Sequence, residues 1–240
     1  VQVFLSLALA GALGFLLTVN FLFVVDVGRG SVAVHPAPVP LDDARYTVRV
    51  NTFRRNDLLQ RSVDHFARCA GVHEIQVVWS DPANAPPPET LFAAASRPLV
   101  KFEVHEEDSL SNRFLPPSPP PTEAVFSVDD DLIISCADVA HAFEVWRGAR
   151  RAMVGFVPRL VTWDSLKGRY DYRSWWVTWW NGLYNVILTK ACFLHRDHLE
   201  AYAHNLPRAA RDLIDARRNC EDLAMSFVVA KNIAAPPVWV

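Results

Sequence analysis

Segments typical of β-strands alternate along this chain with segments typical of α-helices, and this alternation constrains the fold more than any other feature. Tyr46–Thr52 alternates apolar with polar residues, which predicts a half-buried strand. A helix is expected next, with Leu59, Val63 and Phe66 on one face. Strands joined through helices by short loops favour a largely parallel sheet covered by helices. The sequence therefore predicts an α/β fold.

The rest of the chain continues this pattern. A helix is predicted to begin at Ser135, and two or three more helices are predicted at about 195–231. Short apolar runs bounded by loop-forming residues predict the remaining strands, at Ile75–Trp79, Val100–Val104, Ala124–Val128, Met153–Val157 and Tyr184–Leu188.

The first 25 residues carry no charge, and 19 of them are apolar. A run of about 20 apolar residues can cross a bilayer as a helix, so we expect a single N-terminal transmembrane anchor at 1–25. A cleaved signal peptide and a buried core helix are the alternatives. Alternating prolines predict an extended stem at 26–45, which leaves 46–240 as the globular domain. This order is typical of single-pass, type II membrane enzymes whose catalytic domain faces the lumen of the secretory pathway.

Composition excludes several classes of protein. The 24 basic and 26 acidic residues give a net charge of −2, which argues against a nucleic-acid binder. The common glycine-rich phosphate-binding motifs are absent from the sequence, and so is any C-x-x-C pair of a structural zinc site. A lumenal domain permits a disulfide. Cys136 and Cys192 are expected to be buried thiols, and His195 and His198 are expected at the surface.

Three consecutive carboxylates follow the predicted strand that ends at Val128. In an open α/β sheet, ligands bind at the carboxyl ends of the strands. Asp129 and Asp131 would point the same way if the strand geometry continued beyond Asp130. Such oxygen ligands suit Mg²⁺ or Mn²⁺, which commonly bridges carboxylates to the phosphates of a substrate. The alternative is a solvated acidic turn.

Candidate partners for a phosphorylated substrate lie in other segments. Arg55 and Arg113 can make bidentate contacts with phosphate, although each arginine taken singly is more often a surface residue. Glu221 and Asp222 stand at a predicted helix start, where carboxylates also suit the helix dipole.

Four tryptophans lie within six residues. They are compatible with a packed core, with a platform for a sugar or acceptor, or with a surface that contacts a membrane. The four residues are Trp175, Trp176, Trp179 and Trp180.

Several ordered motifs resemble one known family. TFRRNDLL, SNRF, FSVDDDL, VGFVPR and NCEDLAMSFVVA resemble the exostosin-like glycosyltransferases of family 64, from about Tyr46 to the last residue. WWVTWWNGLY and APPVWV resemble the plant and green-algal branch. The resemblance implies a GT-A fold, which is a Rossmann-like mixed sheet covered by helices. It also implies retaining transfer from a nucleotide-sugar, most typically a UDP-N-acetylhexosamine such as UDP-N-acetylglucosamine, with Mn²⁺ or Mg²⁺.

The resemblance also assigns roles to individual residues. Asp131 would bind the metal, and Asp129 would lie toward the ribose or a water on the metal. Asp222, with Glu221 beside it, would act at the donor sugar and acceptor. The residues assigned to nucleotide-sugar binding are Arg55, Asn112, Arg113, Asp129 and Asp130.

The resemblance also implies an acceptor and a cellular compartment, and a few residues of this chain differ from the family pattern. The acceptor would be a glycan or a glycosylinositol-type lipid, in the lumen of the Golgi or endoplasmic reticulum. Ser80 and Asp108 stand where the family often has asparagine, and Asp108 is expected to add negative charge near the donor. The family chain continues further, so the domain is expected to be truncated and Cys220 to lack its disulfide partner. The alternative function is an inactive lumenal module that binds glycans or nucleotide-sugars.

Overall fold

The computed structural model describes residues 44–92 and 99–240. The predicted anchor at 1–25 and nearly all of the predicted stem lie outside these ranges. Within the described ranges, every helix is too short or too polar to cross a membrane.

The described residues form ten strands and six α-helices. The strands are β1 (Tyr46–Thr52), β2 (Val72–Trp79), β3 (Leu99–Val104), β4 (Ala124–Asp129), β5 (Val154–Gly155), β6 (Pro158–Asp164), β7 (Arg169–Arg173), β8 (Val186–Ile187), β9 (Ala191–His195) and β10 (Val238–Trp239). The helices are α1 (Asn56–Phe66), α2 (Cys136–Gly148), α3 (Trp175–Asn181), α4 (Asp197–Asn205), α5 (Arg208–Arg217) and α6 (Glu221–Ile233).

The main sheet confirms the predicted α/β class. Its strand order is β10-β5-β9-β4-β1-β2-β3, and β4, β1, β2 and β3 run parallel. Strand β9 runs antiparallel to both β4 and β5, so the sheet is mixed and Rossmann-like. A second sheet has the order β7-β6-β8. The parallel strands bring the carboxyl ends of β1 and β4 side by side.

Buried apolar faces hold the helices on this sheet. Leu59, Val63 and Phe66 of α1 are fully buried, as the helical spacing predicts. On α2, Val139 and Trp146 are fully buried as well. Full burial of an apolar side chain contributes about 1.5–3 kcal/mol, so these faces fix both helices firmly. The predicted strands at Met153–Val157 and Tyr184–Leu188 are shorter than expected, because each keeps only two paired residues.

A disulfide joins Cys69 to Cys136, 67 positions apart in the sequence. The prediction that Cys136 is a free buried thiol is therefore wrong, because the chain after α1 and the start of α2 approach to a Cα–Cα distance of 5.0 Å. Cys192 is a buried thiol as predicted, and burial raises its pKa. Cys220 is free and exposed.

The predicted surface position of His195 and His198 is also wrong. Both side chains are buried, since β9 carries His195 into the sheet and His198 turns back to contact the chain before β5. The Nδ1 atom of His195 accepts hydrogen bonds from Arg151 Nη1 and from the backbone N–H of Asp197, each at 3.2 Å. Burial lowers the pKa of His195 to about 4, Arg151 acts in the same direction, and Asp197 and Glu123 oppose it.

We expect this histidine to make folding sensitive to acid. An unfolded histidine binds its proton near pH 6.5, whereas the folded one remains neutral down to about 4. The unfolded state therefore binds more protons in this window, and the free energy of unfolding falls by about 2 kcal/mol from about pH 7 to about pH 5 through this group. Urea unfolding at both pH values should show a smaller fall in a His195→Gln variant. Equal falls in the two proteins would contradict the assignment.

Candidate active site

The three aspartates lie at the carboxyl end of β4, next to the end of β1. Strand β4 ends at Asp129, and the N–H of Leu132 donates to the carbonyl of Asp129 at 3.1 Å, which closes a turn. Strand alternation therefore does not extend to Asp131. The side chains of Asp129, Asp130 and Asp131 are 24%, 0% and 51% exposed, so the three carboxylates have different surroundings.

Arg55 holds two of these carboxylates. Its Nη2 lies 2.5 Å from Asp130 Oδ1, and its Nη1 lies 3.2 Å from Asp131 Oδ2. The hydroxyl of Thr52 donates to the other oxygen of Asp130 at 2.6 Å. Burial raises the pKa of Asp130, while Thr52 and Arg55 oppose this shift. Asp130 is thus a buried partner of Arg55, and its predicted contact with a nucleotide-sugar stays a prediction.

Arg113 is the buried cation that joins the ends of two elements. Its Nη2 donates to Asp129 Oδ1, and its Nη1 lies 3.4 Å from Asp222 Oδ1 and 3.9 Å from Glu221 Oε1 at the start of α6. Burial disfavours the charge of Arg113, but the three carboxylates outweigh this effect and raise the pKa of the guanidinium. Arg113 therefore stays charged, and it brings the predicted metal-binding and catalytic acids into one cluster.

The segment that carries Arg113 is held by further hydrogen bonds. It is a 3₁₀ helix at Leu110–Phe114. The side chain of Asn112 donates to Ser80 Oγ at 3.0 Å and to the carbonyl of Glu107 at 2.8 Å. The buried Arg49 of β1 donates through Nε to the carbonyl of Arg113 at 3.2 Å. These contacts fix the position of Arg113 relative to the sheet.

Asp222 is held by a residue that sequence reasoning missed. Its Oδ1 accepts from the backbone N–H of Thr189 at 3.0 Å, and also from the hydroxyl of Thr189. Thr189 lies in the turn between β8 and β9, where nothing in the local sequence marks a site. Burial and the adjacent Asp222 raise the pKa of Glu221, and Arg113 opposes them. Among the described residues, all hydrogen bonds to Asp222 reach Oδ1, so Oδ2 has none.

The acidic cluster fits a cation whose coordination is completed by a substrate. In residues 44–92 and 99–240, only His65, Cys69 and Cys136 bring three potential ligand atoms together, and the two sulfurs are bonded to each other. The aspartates therefore offer hard oxygen ligands without a complete cage. Mg²⁺ and related cations commonly bind in this way, through one or two carboxylates plus phosphates and water.

The expectation for Asp108 needs correction. Its two carboxylate oxygens accept from Arg218 Nη2 at 2.9 and 2.8 Å, and its carbonyl accepts from Arg218 Nη1 at 2.7 Å. Arg218 comes from the chain just after α5 and compensates the charge of Asp108. The added negative charge predicted near a donor is therefore largely neutralised.

The tryptophan cluster forms α3, and its members are on the surface. The core alternative is therefore wrong for these four side chains, because Thr178 is the buried residue of this short helix. The four rings, which are 48% to 80% exposed, belong to Trp175, Trp176, Trp179 and Trp180.

Comparison with known proteins identifies the class of this chain. The family model described as "Glycosyl transferase family 64 domain" matches residues 46–240, which is the whole predicted globular domain. The chain therefore belongs to glycosyl transferase family 64, as its ordered motifs predict.

Individual relatives support the same family. The chain is 42% identical over 210 residues to "Glycosylinositol phosphorylceramide mannosyl transferase 1" of Arabidopsis thaliana, covering 81% of this chain and 62% of the relative. It is 33% identical to human "Exostosin-2", covering 80% and 26%. It is 34% identical to human "Exostosin-like 2", covering 78% and 58%. The chain thus spans less than two thirds of each of these relatives.

One solved structure is a distant likeness. It is the mannosyltransferase PcManGT of Pyrobaculum calidifontis in complex with GDP-Man and Mn²⁺. It is 15% identical, with a TM-score of 0.47, covering 91% of this chain and 73% of that one. This similarity is too low to assign a donor or a metal to the present chain.

Proposed function

We propose that this chain is a metal-dependent retaining glycosyltransferase of the GT-A type. It would transfer a sugar from a nucleotide-sugar to a glycan or glycolipid acceptor. The observation that carries the proposal is the cluster around Arg113, which joins Asp129 at the end of β4 to Glu221 and Asp222 at the start of α6. Family 64 membership gives this cluster its context.

Each charged residue has a place in this chemistry. Arg55 and Arg113 would stabilise the negative charge that develops on the departing diphosphate. Asp222, held by Thr189, would face the positive charge that develops on the donor sugar, and Glu221 would support it. A bound Mn²⁺ or Mg²⁺, held by Asp131 with Asp129 nearby, would supply further neutralisation of the diphosphate.

Two donor classes follow from different observations. The family resemblance favours a UDP-N-acetylhexosamine such as UDP-N-acetylglucosamine. The Arabidopsis relative is named a mannosyl transferase, which favours a mannosyl donor, and it is 42% identical compared with 33% for Exostosin-2. A panel that includes UDP-N-acetylglucosamine and GDP-mannose distinguishes the two.

The proposed setting is the lumen of the Golgi or endoplasmic reticulum, with 1–25 as a membrane anchor. The Cys69–Cys136 disulfide supports an oxidising compartment, since such bonds are rare in the cytosol. Alkaline carbonate extraction tests the anchor: the full chain should remain with the membranes, and its release would contradict the anchor.

Asp131→Asn is expected to weaken the metal dependence of donor turnover. The substitution keeps the size of the half-exposed side chain but removes the charge that would bind the cation. We expect the Mn²⁺ concentration for half-maximal release of the nucleoside diphosphate to rise about tenfold or more, which corresponds to ~1.4 kcal/mol. Release is measured in an Mn²⁺ titration with both donors.

Asp212→Asn is the matched control, because Asp212 is 68% exposed on α5 and its nearest cation, Arg208, is 4.0 Å away. It should behave like the unmodified chain. Identical Mn²⁺ curves for Asp131→Asn and the unmodified chain would contradict the metal role. An absence of metal-dependent release with every donor would favour the inactive binding module.

A further inference from the structure

The hairpin β6–β7 and the neighbouring helix α3 expose several large apolar side chains, which we call the aromatic patch. Its members are between 48% and 97% exposed. Single exposed apolar residues are normal on a protein, but eight on two neighbouring elements indicate an interaction surface. The patch comprises Trp163, Leu166, Tyr170, Tyr172, Trp175, Trp176, Trp179 and Trp180.

The hairpin is amphipathic across its two faces. Trp163 pairs with Tyr170 and Val161 pairs with Tyr172, so these residues share one face. The Trp163 and Tyr170 rings meet edge to face, with centroids 5.0 Å apart. Because side chains alternate across a strand, the other face carries charged residues such as Asp171.

Helix α3 lies beside β6 and extends the aromatic surface. Trp175 and Trp176 stack with centroids 4.0 Å apart, and Trp176 meets Trp179 edge to face at 6.0 Å. In the part of the chain that the structure describes, none of the four indole N–H groups of α3 has a hydrogen-bond partner. Each indole is thus an apolar ring with an unused polar group, which suits a boundary between an apolar and an aqueous phase.

Charge in this region differs from the charge of the whole chain. Residues 158–173 contain four basic and two acidic side chains, giving a net charge of +2, whereas the chain carries −2. The tip presents Leu166, which is 97% exposed, next to Lys167. Lys167 contacts Asp164 at 2.8 Å and Asp171 at 3.0 Å, and Arg169 and Arg173 lie 3.5 and 3.6 Å from the same Asp171. Arg159, which strand alternation places on the same face as Trp163, has no acidic partner among the described residues.

We propose that the aromatic patch docks the globular domain on an anionic lipid bilayer surface. Tryptophan and tyrosine are enriched at the interface between water and lipid, and basic side chains near that surface contribute about 1 kcal/mol each on anionic lipids. The patch would hold the domain against the membrane in one orientation. This inference does not depend on the donor or on the transfer reaction.

A sugar platform is the competing occupant, and the geometry favours it less. Such a site typically offers an open ring face with polar groups placed around it. Here Trp175 and Trp176 stack, so one face of each ring is covered, and the exposed apolar residues continue to Leu166 at the tip of the hairpin.

A fluorescent label tests the position of the patch in the full chain. In a Cys220→Ser background, which removes the exposed free thiol, Leu166→Cys is labelled with an environment-sensitive dye. The chain is then placed in vesicles of phosphatidylcholine and phosphatidylserine. We expect a blue shift, a severalfold gain in emission and quenching by lipids that carry a quencher. A label at Trp180→Cys should respond in the same way.

Glu144→Cys is the control, since Glu144 is 64% exposed on α2 and lies outside the patch. The predicted anchor would bring any label near a vesicle, so only a response specific to the patch supports docking. Equal responses at Leu166 and Glu144 would overturn the proposal. A blue shift at the patch without vesicles would also overturn the proposal, because it would mean that another part of this chain or a second copy covers the patch. A blue shift produced by soluble oligosaccharide instead of vesicles would overturn it too, because it would mean that the patch binds a glycan. The label reports only whether the patch contacts lipid, so the experiment tests docking even if the chain has no transferase activity.

Discussion

Asp222→Asn is expected to lower kcat by about 10²- to 10³-fold, as losing one preorganised charge or donor at a reacting centre does in other enzymes. The substitution keeps the shape of the side chain. The asparagine oxygen can still accept from the N–H and hydroxyl of Thr189, which hold Asp222 now. Arg113 keeps Asp129 as its partner. What disappears is the negative charge that would face the donor sugar, so the chemical step should slow while donor binding changes little.

Initial rates over a range of donor concentrations separate these effects, and tryptophan fluorescence gives donor affinity independently. Asp212→Asn makes the same chemical change at an exposed position and should keep the full rate. Glu221→Gln should lower kcat less than Asp222→Asn does, because Glu221 lies 3.9 Å from Arg113 and Asp222 lies 3.4 Å from it. An unchanged kcat in Asp222→Asn would mean that Asp222 only holds Thr189.

Local patterns predicted the parts of the fold whose signal lies within a few residues. The strand at Tyr46–Thr52 and the apolar face of α1 are of this kind, and both lie where the patterns predict them. The prediction that this strand is half-buried is wrong, because β1 lies between β2 and β4 and also buries its polar residues Thr47 and Arg49. Strand β9 was not predicted, since its buried residues gain their partners only by antiparallel pairing with β4 and β5. The Cys69–Cys136 disulfide depends on the chain after α1 meeting the start of α2 in space, which the spacing of cysteines cannot reveal.

The same distinction applies to the candidate site. The acidic triplet could be found because three adjacent carboxylates after an apolar strand are visible in the sequence. The pairing of Asp108 with Arg218 joins residues 110 positions apart, and the role of Thr189 depends on a turn 33 positions before Asp222. Neither pairing leaves a local signal. Motif resemblance named Arg113 as a nucleotide-sugar ligand, but only the structure shows it as the shared partner of acids from two elements.

Arg113→Met is expected to destabilise the fold and also to abolish transfer. Methionine has a similar length but no charge, so it would leave Asp129, Asp222 and Glu221 facing one another without their buried cation. Removing one partner of a buried charge pair typically costs about 3–5 kcal/mol, and we expect a loss of unfolding free energy of this size. Urea unfolding followed by circular dichroism at fixed pH measures it.

Arg113→Lys distinguishes charge from geometry. Lysine restores one positive charge but lacks the planar fork that reaches two sets of carboxylates at once. Its stability should therefore fall between those of the unmodified chain and Arg113→Met, while transfer remains low. Arg147→Met is the matched control, because Arg147 of α2 pairs only with its neighbour Glu144 at 3.0 Å among the described residues. An exposed pair of this kind contributes about 0–1 kcal/mol. Equal stability losses in Arg113→Met and Arg147→Met would contradict a central role for Arg113, because the three acids would then need no buried cation.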